Sequence, residues 1–386
     1  MKILHIAPNA PYNYGWGYQE NLLPKYHKRL GHDVTLIITN TMHKDGKIVE
    51  TDCADYISKD GVRIIRLTKR KYFSKILTNL RSKMDVMPYL NEIQPDFVFF
   101  HGLISTTIFD VIKYKKKINP DCVIVQDNHL DYNIGKNKNL IFKDKIIRGY
   151  YRRLNRKTIK HIACVYGVTP WRKQYAEEYF KIPATKTDVL LMGADDDEMN
   201  IKSRDDIRYK LRQQYDIGEN TFLVISGGKI DKKKNIHLLI EACKDLNGVK
   251  LMIFGQIDNE IVHEVEKDID NKKIIYLGWL NSSEIYKYFY AADLAFFPGQ
   301  HSVLWEQACA SKIPCVFKSW EGMYHVNNGG NSDFINNVSV VNIKEKISEL
   351  FFTPKYFNMK KVADSKATDI YLYSNIAKKS LEKVSK

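Results

Sequence analysis

The chain has 386 residues, of which 44% are hydrophobic and 27% are charged, and its formal net charge is +15. This length predicts two or three domains, and this composition excludes a wholly disordered chain. The apolar runs are far shorter than the roughly 20 residues that span a bilayer, and the first run, broken at Pro8, is too short for a signal peptide. The six cysteines form no Cys-x-x-Cys pair, which favours buried free thiols. We therefore expect a cytoplasmic protein.

Much of the positive charge lies in three basic clusters, Lys69–Lys71, Lys113–Lys117 and Lys143–Lys160. Such clusters favour anionic partners, namely nucleic acids, phosphorylated substrates or the acidic face of a membrane. A solvated lysine surface explains any one cluster equally well. No helix-turn-helix, zinc-finger or ribonucleoprotein pattern lies beside the clusters, so we expect no nucleic-acid partner. Peripheral contact with the inner face of the plasma membrane stays open.

The first half of the chain alternates between short apolar runs and helical patterns. Apolar residues recur with a period near 3.6 over Glu20–Leu30, for example, which predicts a helix. Short strands with helices between them are typical of a parallel sheet. The predicted strands are Lys2–Ile6, Asp33–Ile38, Val62–Leu67, Phe97–His101, Val123–Gln126, Ala163–Val168 and Val189–Met192.

The second half repeats this alternation, with helices predicted over Ile236–Cys243 and Ser283–Ala291. The highly charged stretch Ala194–Tyr209 lacks apolar runs and is predicted to be a linker. A last helix over Ala367–Val384 is a candidate to return to the first domain. The predicted strands are Phe222–Ser226, Lys250–Phe254, Ile274–Leu277, Leu294–Phe297, Pro314–Lys318 and Val338–Val341.

Two domains follow from this repetition. We predict an N-terminal Rossmann-like domain over residues 1–192 and a C-terminal one over residues 193–365. Residues 366–386 form the returning segment.

Glycine follows five of the predicted strands, directly in four cases and after Pro298 in the fifth. Ligands of open parallel sheets bind beyond the carboxyl ends of the strands, where glycine lets backbone amides approach a phosphate closely. Each glycine alone is weak evidence, because tight turns also need glycine. The five follow at Gly102, Gly227–Gly228, Gly255, Gly278 and Gly299.

The segment Ser226–Ala242 combines such a strand end with basic residues. Gly227 and Gly228 are followed by Lys229, by a lysine run that ends at Lys234, and by an amphipathic helix. A helix N-terminus beside two lysines is suited to hold a diphosphate. The segment is not a Walker loop, and a solvated lysine turn is the alternative.

The segment Ala291–Phe317 contains a strand, a Pro-Gly turn, a polar loop and a helix that carries Glu306 among apolar residues. A carboxylate there can accept hydrogen bonds from the two vicinal hydroxyls of a ribose. The alternative is that Glu306 only caps its helix.

These two segments resemble the donor-binding half of glycosyltransferase family 4, whose members are retaining nucleotide-sugar enzymes. Its motifs are Gly-Arg-x4-Lys-Gly, Phe-x-Gly, an Ala-Asp pair and Glu-x7-Glu. The resemblance implies the GT-B fold, an α/β architecture of two Rossmann-like domains with mostly parallel sheets that face a central cleft. The matching positions are Lys229, Lys234, Gly255, Ala292–Asp293 and Glu306, with Gly31–Val34 and Met192–Asp195 resembling further family elements.

The sequence also departs from the family pattern. Pro298 stands where the first acid of the glutamate pair is expected, so Gln300, His301 or Ser302 must occupy the space near the donor sugar. Asn235 replaces a glycine. Lys229 replaces the arginine, and lysine neutralises a diphosphate without the bidentate fork.

In the first half, Asn13–Gly17 resembles the family's glycine loop over the donor phosphates. Its aromatic residues, Tyr14 and Trp16, are alternatively suited to stack on an acceptor sugar. The resemblance places His129 beside the transferred sugar, where it would orient a hydroxyl or stabilise charge, although a strand-end histidine is structural as often as not. His101 is a weaker candidate of the same kind.

We expect neither a cofactor nor a metal. Asp195–Glu198 could pass for an Asp-x-Asp metal site, but basic residues already neutralise the diphosphate and these acids lie in the predicted linker. Cys/His clusters with zinc spacing are absent from the sequence.

The predicted function is transfer of a hexose-type sugar from a nucleoside diphosphate sugar to a saccharide or lipid-linked hydroxyl acceptor. The resemblance adds retention of configuration and a place in bacterial cell-surface polysaccharide or glycolipid synthesis. An epimerase-like enzyme and a non-catalytic partner subunit are the alternatives. The predicted catalytic residues are His129, Lys229 and Lys234, and the predicted donor-binding residues are Gly15, Gly17, Gly227, Gly228, Gly255, Gly278, Trp279, Leu280, His301, Ser302 and Glu306.

Overall fold

The computed structural model describes residues 1–44, 47–132, 141–199 and 201–384. The chain divides into two compact units, the first made of Met1–Leu191 and Ile376–Lys386 and the second of Met192–Asn375. The predicted boundary at residue 192 lies next to this division. Residues 366–375, predicted to belong to the returning segment, lie in the second unit, and residues 385 and 386 lie outside the described part. No helix in that part is long and apolar enough to cross a membrane.

A mostly parallel sheet forms the centre of the first unit. Its strand order in the described residues is β10-β9-β8-β7-β1-β2-β6-β5, and only the edge strand β5 is antiparallel to its neighbour. A separate hairpin, β3–β4, was not predicted from the sequence. The strands are β1 Lys2–Ala7, β2 Asp33–Thr39, β3 Thr41–Lys44, β4 Lys47–Glu50, β5 Ala54–Ile57, β6 Arg63–Leu67, β7 Phe97–Phe100, β8 Val123–Asn128, β9 Cys164–Gly167 and β10 Thr187–Val189.

The helices of the first unit lie between these strands, as a parallel sheet requires. Capping side chains and proline residues determine where several of these helices begin. Helix α6 starts at Pro170 after Thr169, whose side chain accepts a hydrogen bond from the amide of Arg172. The helices are α1 Gln19–Arg29, α2 Lys75–Arg81, α3 Met87–Ile93, α4 Ile108–Lys117, α5 Ile141–Thr158 and α6 Pro170–Phe180.

The second unit has a sheet whose described strands are all parallel, in the order β13-β12-β11-β14-β15-β16. Its strand β11 is buried along its whole length, as expected from the apolar run Phe222–Ile225. The strands are β11 Phe222–Gly227, β12 Val249–Phe254, β13 Ile274–Tyr276, β14 Leu294–Phe297, β15 Cys315–Lys318 and β16 Ser332–Ile335.

Two predictions in this half are wrong. The stretch Ala194–Tyr209 contains helical residues and belongs to the second unit rather than to a bare linker. The predicted strand Val338–Val341 overlaps the start of a helix, because the Ser339 side chain caps it by accepting from the amide of Asn342. The helices are α7 Asp196–Met199, α8 Arg204–Gln214, α9 Ile236–Lys244, α10 Val262–Glu266, α11 Ser282–Ala291, α12 Leu304–Ala310, α13 Val340–Leu350, α14 Pro354–Ala363 and α15 Tyr373–Ser380.

Candidate functional site

Glycines allow the ends of β11 and β12 to approach each other closely. A Cβ atom at Gly255, which has a φ of +113°, would lie 1.9 Å from the carbonyl oxygen of Gly228. A Cβ atom at Gly227 would lie 2.5 Å from the Phe254 ring. The Gly228 amide donates to the Phe254 carbonyl oxygen at 3.1 Å. These glycines are therefore required for backbone packing, and the Gly228 amide is already paired in this structure.

Lys229 follows these glycines on the surface. Its side chain is 61% exposed, and Nζ lies 2.8 Å from Oδ2 of Asp258 and 3.9 Å from Oδ2 of Asp231. The hydrogen bond to Asp258 is the main reason that the pKa of Lys229 is raised above its ordinary value. Lys229 is thus a charged, solvent-accessible cation at the carboxyl edge of the sheet.

Lys234 lies in a different environment, although it is only five residues away. The Asp231 side chain accepts from the amides of Lys233 and Lys234, which fixes the turn before α9. The Lys234 ammonium donates to the Gln300 carbonyl oxygen at 2.6 Å. Burial lowers the pKa of Lys234 to about 8, a shift that the nearby Asp231 only partly offsets.

Asn235 explains how the chain manages without the glycine of the family motif. Its φ of +54° lies in the left-handed region, which asparagine tolerates better than most residues. The Asn235 side chain also donates to the Pro298 carbonyl oxygen at 3.0 Å. A Cβ atom at Gly299 would lie 2.3 Å from Cα of Lys234, so the turn and the loop after β14 pack backbone against backbone.

Glu306 lies in α12 and is fully buried, with none of its surface exposed to solvent. Its Oε1 atom lies 2.8 Å from Nε2 of His301 and 2.8 Å from Nε2 of His325. Burial alone would raise the pKa of Glu306, but the two histidines outweigh that effect and lower it to about 2. Its Oε2 atom is buried and has no hydrogen-bond partner among the described residues. The carboxylate is therefore ionised and keeps one oxygen available for a hydrogen-bond donor.

The same three side chains can act as metal ligands. One ligand atom from each of His301, Glu306 and His325 lies within 4.8 Å of the others. Two imidazole nitrogens and a carboxylate oxygen are a ligand set that zinc accepts. This cluster, rather than Asp195–Glu198, is the candidate site should a divalent ion bind.

The loop after β13 contains three of the predicted donor-binding residues. Gly278 has a φ of +71°, and its carbonyl oxygen accepts from the Gly255 amide at 2.7 Å. The next residue, Trp279, is 75% exposed, whereas Leu280 is buried. Ser302 lies two residues before α12, and its carbonyl oxygen accepts from the amide of Trp305 at 3.0 Å. The loop is thus hydrogen-bonded to Gly255, which follows β12, and the Trp279 indole is exposed to solvent.

In the first unit, His129 directly follows β8 and lies beside a buried acid. Its Nε2 atom is 3.5 Å from Oδ2 of Asp127, which is an electrostatic contact rather than a hydrogen bond. Burial lowers the pKa of His129, but the Asp127 charge outweighs it and raises the pKa above its ordinary value. His101 Nδ1 contacts the same Asp127 oxygen at 2.8 Å. The weaker candidate, His101, therefore supports the acid that faces His129.

The Asn13–Gly17 loop is held against the β3–β4 hairpin. The Asn13 side chain exchanges two hydrogen bonds of 2.8 Å with the backbone of His43. The Trp16 ring stacks on His43 at a centroid distance of 5.1 Å, so one face of Trp16 is covered. A Cβ atom at Gly15 would meet nothing within 4 Å, and Gly17 is half-buried. The open space at Gly15 is compatible with a ligand close to the loop.

The comparisons with known proteins agree with the family resemblance. Residues 22–198 match Glycosyltransferase Family 4, and residues 207–361 match glycosyl transferases group 1. The chain belongs to glycosyltransferase family 4. The predictions of this family, of the GT-B fold and of a glycosyltransferase enzyme are confirmed at that level.

Individual relatives are distant. A processive diacylglycerol α-glucosyltransferase from Acholeplasma laidlawii is 27% identical over 171 residues, which are 41% of this chain and 51% of that protein. The chain therefore matches about half the length of that relative. A glycosyltransferase from Rickettsia africae has a TM-score of 0.71 at 16% identity, covering 100% of this chain and 97% of the other. Anabaena HepE, solved in complex with UDP, has a TM-score of 0.71 at 15% identity and 100% coverage of both chains. Both structures show a shared fold.

Within this family 4 framework, the Ala292–Asp293 pair has a structural role in this chain. Asp293 is buried, and its carboxylate lies 2.5 Å from Nη2 of Arg208 and 3.0 Å from Nη1 of Arg212. It also accepts from the Leu223 amide at 2.8 Å. Asp293 thus joins α8 to the first residues of β11.

His325 is a member of the His301–Glu306–His325 cluster that was not predicted from the sequence. It lies in the 3-10 turn Tyr324–Val326, after β15, and its carbonyl oxygen accepts from the Tyr371 hydroxyl at 2.5 Å. It is 19 positions from Glu306 and has no motif of its own. One feature of the sequence could have identified His325: it lies in the loop after β15, the strand next to β14. Loops that follow neighbouring parallel strands meet at the same edge of the sheet.

Proposed function

We propose that this chain transfers a sugar from a nucleoside diphosphate sugar to a hydroxyl acceptor and that its second unit binds the donor. The observation that carries this proposal is Glu306, a buried ionised carboxylate with one oxygen that has no hydrogen-bond partner in the described part of the chain. Buried polar atoms without a partner are costly, and a ribose hydroxyl would supply the missing donor. His301 and His325 keep the other oxygen occupied, so the hydroxyl would meet a carboxylate already fixed in position.

The diphosphate is proposed to bind between the two unlike lysines. Lys229 is charged and exposed, so it can exchange its contact with Asp258 for a phosphate oxygen. Lys234 would exchange the Gln300 carbonyl oxygen for phosphate and gain full charge as it does so. Negative charge grows on the diphosphate as the glycosidic bond breaks, and fixed cations stabilise that transition state more than the ground state.

His129 is the proposed polar group beside the transferred sugar. Its raised pKa favours an imidazolium, which can donate to a sugar hydroxyl. The two lysines neutralise the diphosphate without a cation bridge, and we accordingly propose metal-independent transfer. Retention of anomeric configuration is proposed from the family resemblance.

We further propose a lipid-linked acceptor presented at an anionic membrane, as in the synthesis of a cell-surface glycolipid or polysaccharide. The relative from Acholeplasma laidlawii is named for glucosyl transfer to diacylglycerol. In this chain, Phe73, Ile76 and Ile146 are 94%, 70% and 55% exposed around α2 and α5. The Tyr151 hydroxyl donates to the Leu80 carbonyl oxygen at 2.5 Å, so α5 lies against α2.

Exposed basic side chains lie on α5, the helix that also carries Ile146. Arg152 and Arg153 are exposed on α5, and each basic residue near an anionic surface contributes about 1 kcal/mol of attraction. The side chain of Lys143, in the same basic cluster, lies outside the described residues. We expect the protein to pellet with phosphatidylglycerol vesicles at low salt and not with phosphatidylcholine vesicles. Arg152→Glu with Arg153→Glu should abolish pelleting, whereas Lys267→Glu, an exposed change in the second unit, should not.

The central test is calorimetric titration of UDP, GDP and ADP in the presence of EDTA. We expect micromolar affinity for one nucleotide, about −8 kcal/mol, that Lys229→Ala weakens and Glu306→Ala abolishes. Glu241→Ala, at an exposed position of α9, is the matched control and should bind normally. Absence of binding to folded wild-type protein would overturn the donor site.

Donor turnover separates the alternatives. An acceptor-dependent release of the nucleoside diphosphate supports transfer. Rearrangement of the donor sugar without an acceptor would indicate an epimerase-like enzyme. Tight binding without turnover in either case would indicate a non-catalytic partner subunit.

A further inference from the structure

Lys69 is a half-buried lysine at the carboxyl edge of the first unit's sheet. It lies two residues after β6, and its Nζ atom donates to Oδ1 of Asn9 at 2.9 Å. Burial lowers the pKa of Lys69, and no acid of the described residues offsets that effect. Asn9 is neutral, so its contact satisfies one N–H and leaves the positive charge uncompensated. Burying a cation in this way is costly unless an anion pairs with it.

The neighbouring basic residues differ from Lys69. Arg70 reaches an acid, because its Nε atom lies 3.6 Å from Oδ2 of Asp85. Lys71 is exposed, so water solvates its charge. Of the three residues in this basic cluster, Lys69 alone combines partial burial with the lack of an acid in the described part of the chain. It is therefore the member best suited to bind an anion.

Asn9 is itself held in place, which fixes the position of the ammonium. Its Nδ2 atom donates to the Ile104 carbonyl oxygen at 2.5 Å, and its Oδ1 atom also accepts from the Ser82 hydroxyl. The backbone beside the lysine is attached as well, because the Arg70 amide donates to the Lys83 carbonyl oxygen at 2.7 Å. The cation is thus positioned before any anion binds, which lowers the cost of binding one.

Arg66, three residues before Lys69, brings a second cation to the loop after β1. Its Nη2 atom donates to the Tyr12 carbonyl oxygen at 3.1 Å, and its guanidinium lies 5.2 Å from the centre of the Tyr12 ring. Its Nη1 atom is buried and has no hydrogen-bond partner among the residues that the structure describes. A phosphate oxygen would supply the missing acceptor. The two cations contact the same loop, one at Asn9 and the other at Tyr12.

We propose that Lys69 and Arg66 bind the phosphate of an acceptor in which a sugar separates this phosphate from the reacting hydroxyl. The proposal rests on the proposed function, because it assigns the class of that reaction's acceptor. A phosphate offers several oxygens, so it can accept from an ammonium and a guanidinium at once.

The strand order sets the distance from this phosphate to His129. Strands β1, β7 and β8 are neighbours with aligned ends, since Ile6 pairs with Phe100 and Phe100 pairs with Gln126. Asn9 follows β1 and His129 follows β8, so two strand spacings, about 10 Å, separate them. This gap exceeds the reach of a glycerol phosphate, whereas a phosphate-linked sugar spans it. The reacting hydroxyl therefore belongs to a sugar.

The segment after Lys69 leads to the proposed membrane surface. Phe73 is four positions later, so at most about 14 Å separates the two Cα atoms. Phe73 is exposed to solvent, as is Ile76 in α2. An apolar tail beside Phe73 leaves the phosphate of the same molecule at Lys69. The site is thus suited to an acceptor that joins a lipid tail, a phosphate and a sugar in that order.

The test is equilibrium binding of three soluble ligands to the full-length protein without nucleotide. Octyl glucosyl phosphate has the phosphate between tail and sugar. Octyl glucoside lacks the phosphate, and octyl methyl phosphate keeps the same charge but lacks the sugar. In wild type we expect octyl glucosyl phosphate to bind about tenfold more tightly than octyl glucoside and severalfold more tightly than octyl methyl phosphate.

Matched variants locate the phosphate. Lys69→Gln keeps a donor for Asn9 but removes the charge, so it should abolish the preference for octyl glucosyl phosphate over octyl glucoside. Lys69→Arg keeps the charge and should retain the preference, and Arg66→Gln should reduce it. Lys71→Gln removes a charge from the same cluster at an exposed position and should leave it unchanged.

A preference that persists in Lys69→Gln, or that is absent from wild type, would overturn the proposal. Equal binding of octyl methyl phosphate and octyl glucosyl phosphate would overturn the sugar and indicate a lipid headgroup instead. Weaker nucleotide binding in Lys69→Gln would assign this lysine to the donor and contradict the proposal as well. The three titrations need no nucleotide. A failed acceptor site therefore leaves donor binding intact, and a failed donor site leaves these titrations readable.

Discussion

Nucleotide binding should depend on pH through Lys234, because the pKa of this lysine is lowered to about 8 before any ligand binds. A bound diphosphate should return this pKa toward the ordinary value for lysine, near 10.4. The protonated form is then the one that binds. The affinity contributed by Lys234 is therefore complete well below pH 8 and is lost progressively as the pH rises from about 8 toward 10.4.

The magnitude follows from the two pKa values. Nucleotide binding at pH 8 should take up about half a proton, and the dissociation constant should rise about tenfold between pH 7 and pH 9. A tenfold change corresponds to about 1.4 kcal/mol. Calorimetry in two buffers of different ionisation enthalpy measures the proton uptake directly, and titrations from pH 7 to pH 9 give the slope.

Two variants isolate the source of the effect. Lys234→Arg stays protonated and should bind with an affinity that is flat over this range. Lys229→Gln removes a lysine whose pKa is already raised, so it should weaken binding equally at each pH and keep the slope. No proton uptake by wild type, or a slope that persists in Lys234→Arg, would refute the reasoning.

Three further predictions concern single residues of the second unit and one control. Glu306→Gln keeps the side-chain shape but removes the charge, and should raise the nucleotide dissociation constant at least about tenfold by calorimetry. Asp293→Asn leaves two arginines without their acid and should lower the free energy of unfolding in urea by about 3 kcal/mol; a change below 1 kcal/mol would contradict a structural role. In Gly255→Ala the new Cβ atom would collide with the Gly228 carbonyl oxygen, which should lower the free energy of unfolding by about 3 kcal/mol or more. Gly15→Ala is the control: its Cβ atom meets no atom within 4 Å, and the free energy of unfolding should fall by only about 1 kcal/mol.

Most strands could be predicted because both faces of each sheet are covered. A strand such as β7 is buried at every position and reads as a continuous apolar run. The same rule fails where a polar cap competes with an apolar run. Val338–Val341 has strand-forming residues, but Ser339 starts a helix there because its hydroxyl satisfies an amide of the first turn. The β3–β4 hairpin was missed because its exposed residues show no clear alternation.

The site residues divide in the same way. Lys229, Lys234 and Glu306 lie within motifs, whereas the contact between His101 and Asp127 depends on strand order and register. His5 pairs with Phe99, and Phe100 pairs with Gln126, so β1, β7 and β8 align their ends. An assumed Rossmann-like strand order would have brought these ends together.

The His301–Glu306–His325 cluster leads to a last prediction, which concerns metal. An ionised carboxylate can only accept, so both histidines must direct an N–H at the same oxygen. A metal ligand needs those nitrogens deprotonated, and the observed contacts are therefore those of hydrogen bonds. We expect EDTA to leave the nucleotide affinity unchanged, and added Zn²⁺ to weaken it by competing for Glu306. His325→Gln should reduce the zinc effect more than it reduces nucleotide binding. Loss of binding in EDTA with recovery on adding Zn²⁺ would contradict the metal-independent mechanism and make this cluster a metal centre.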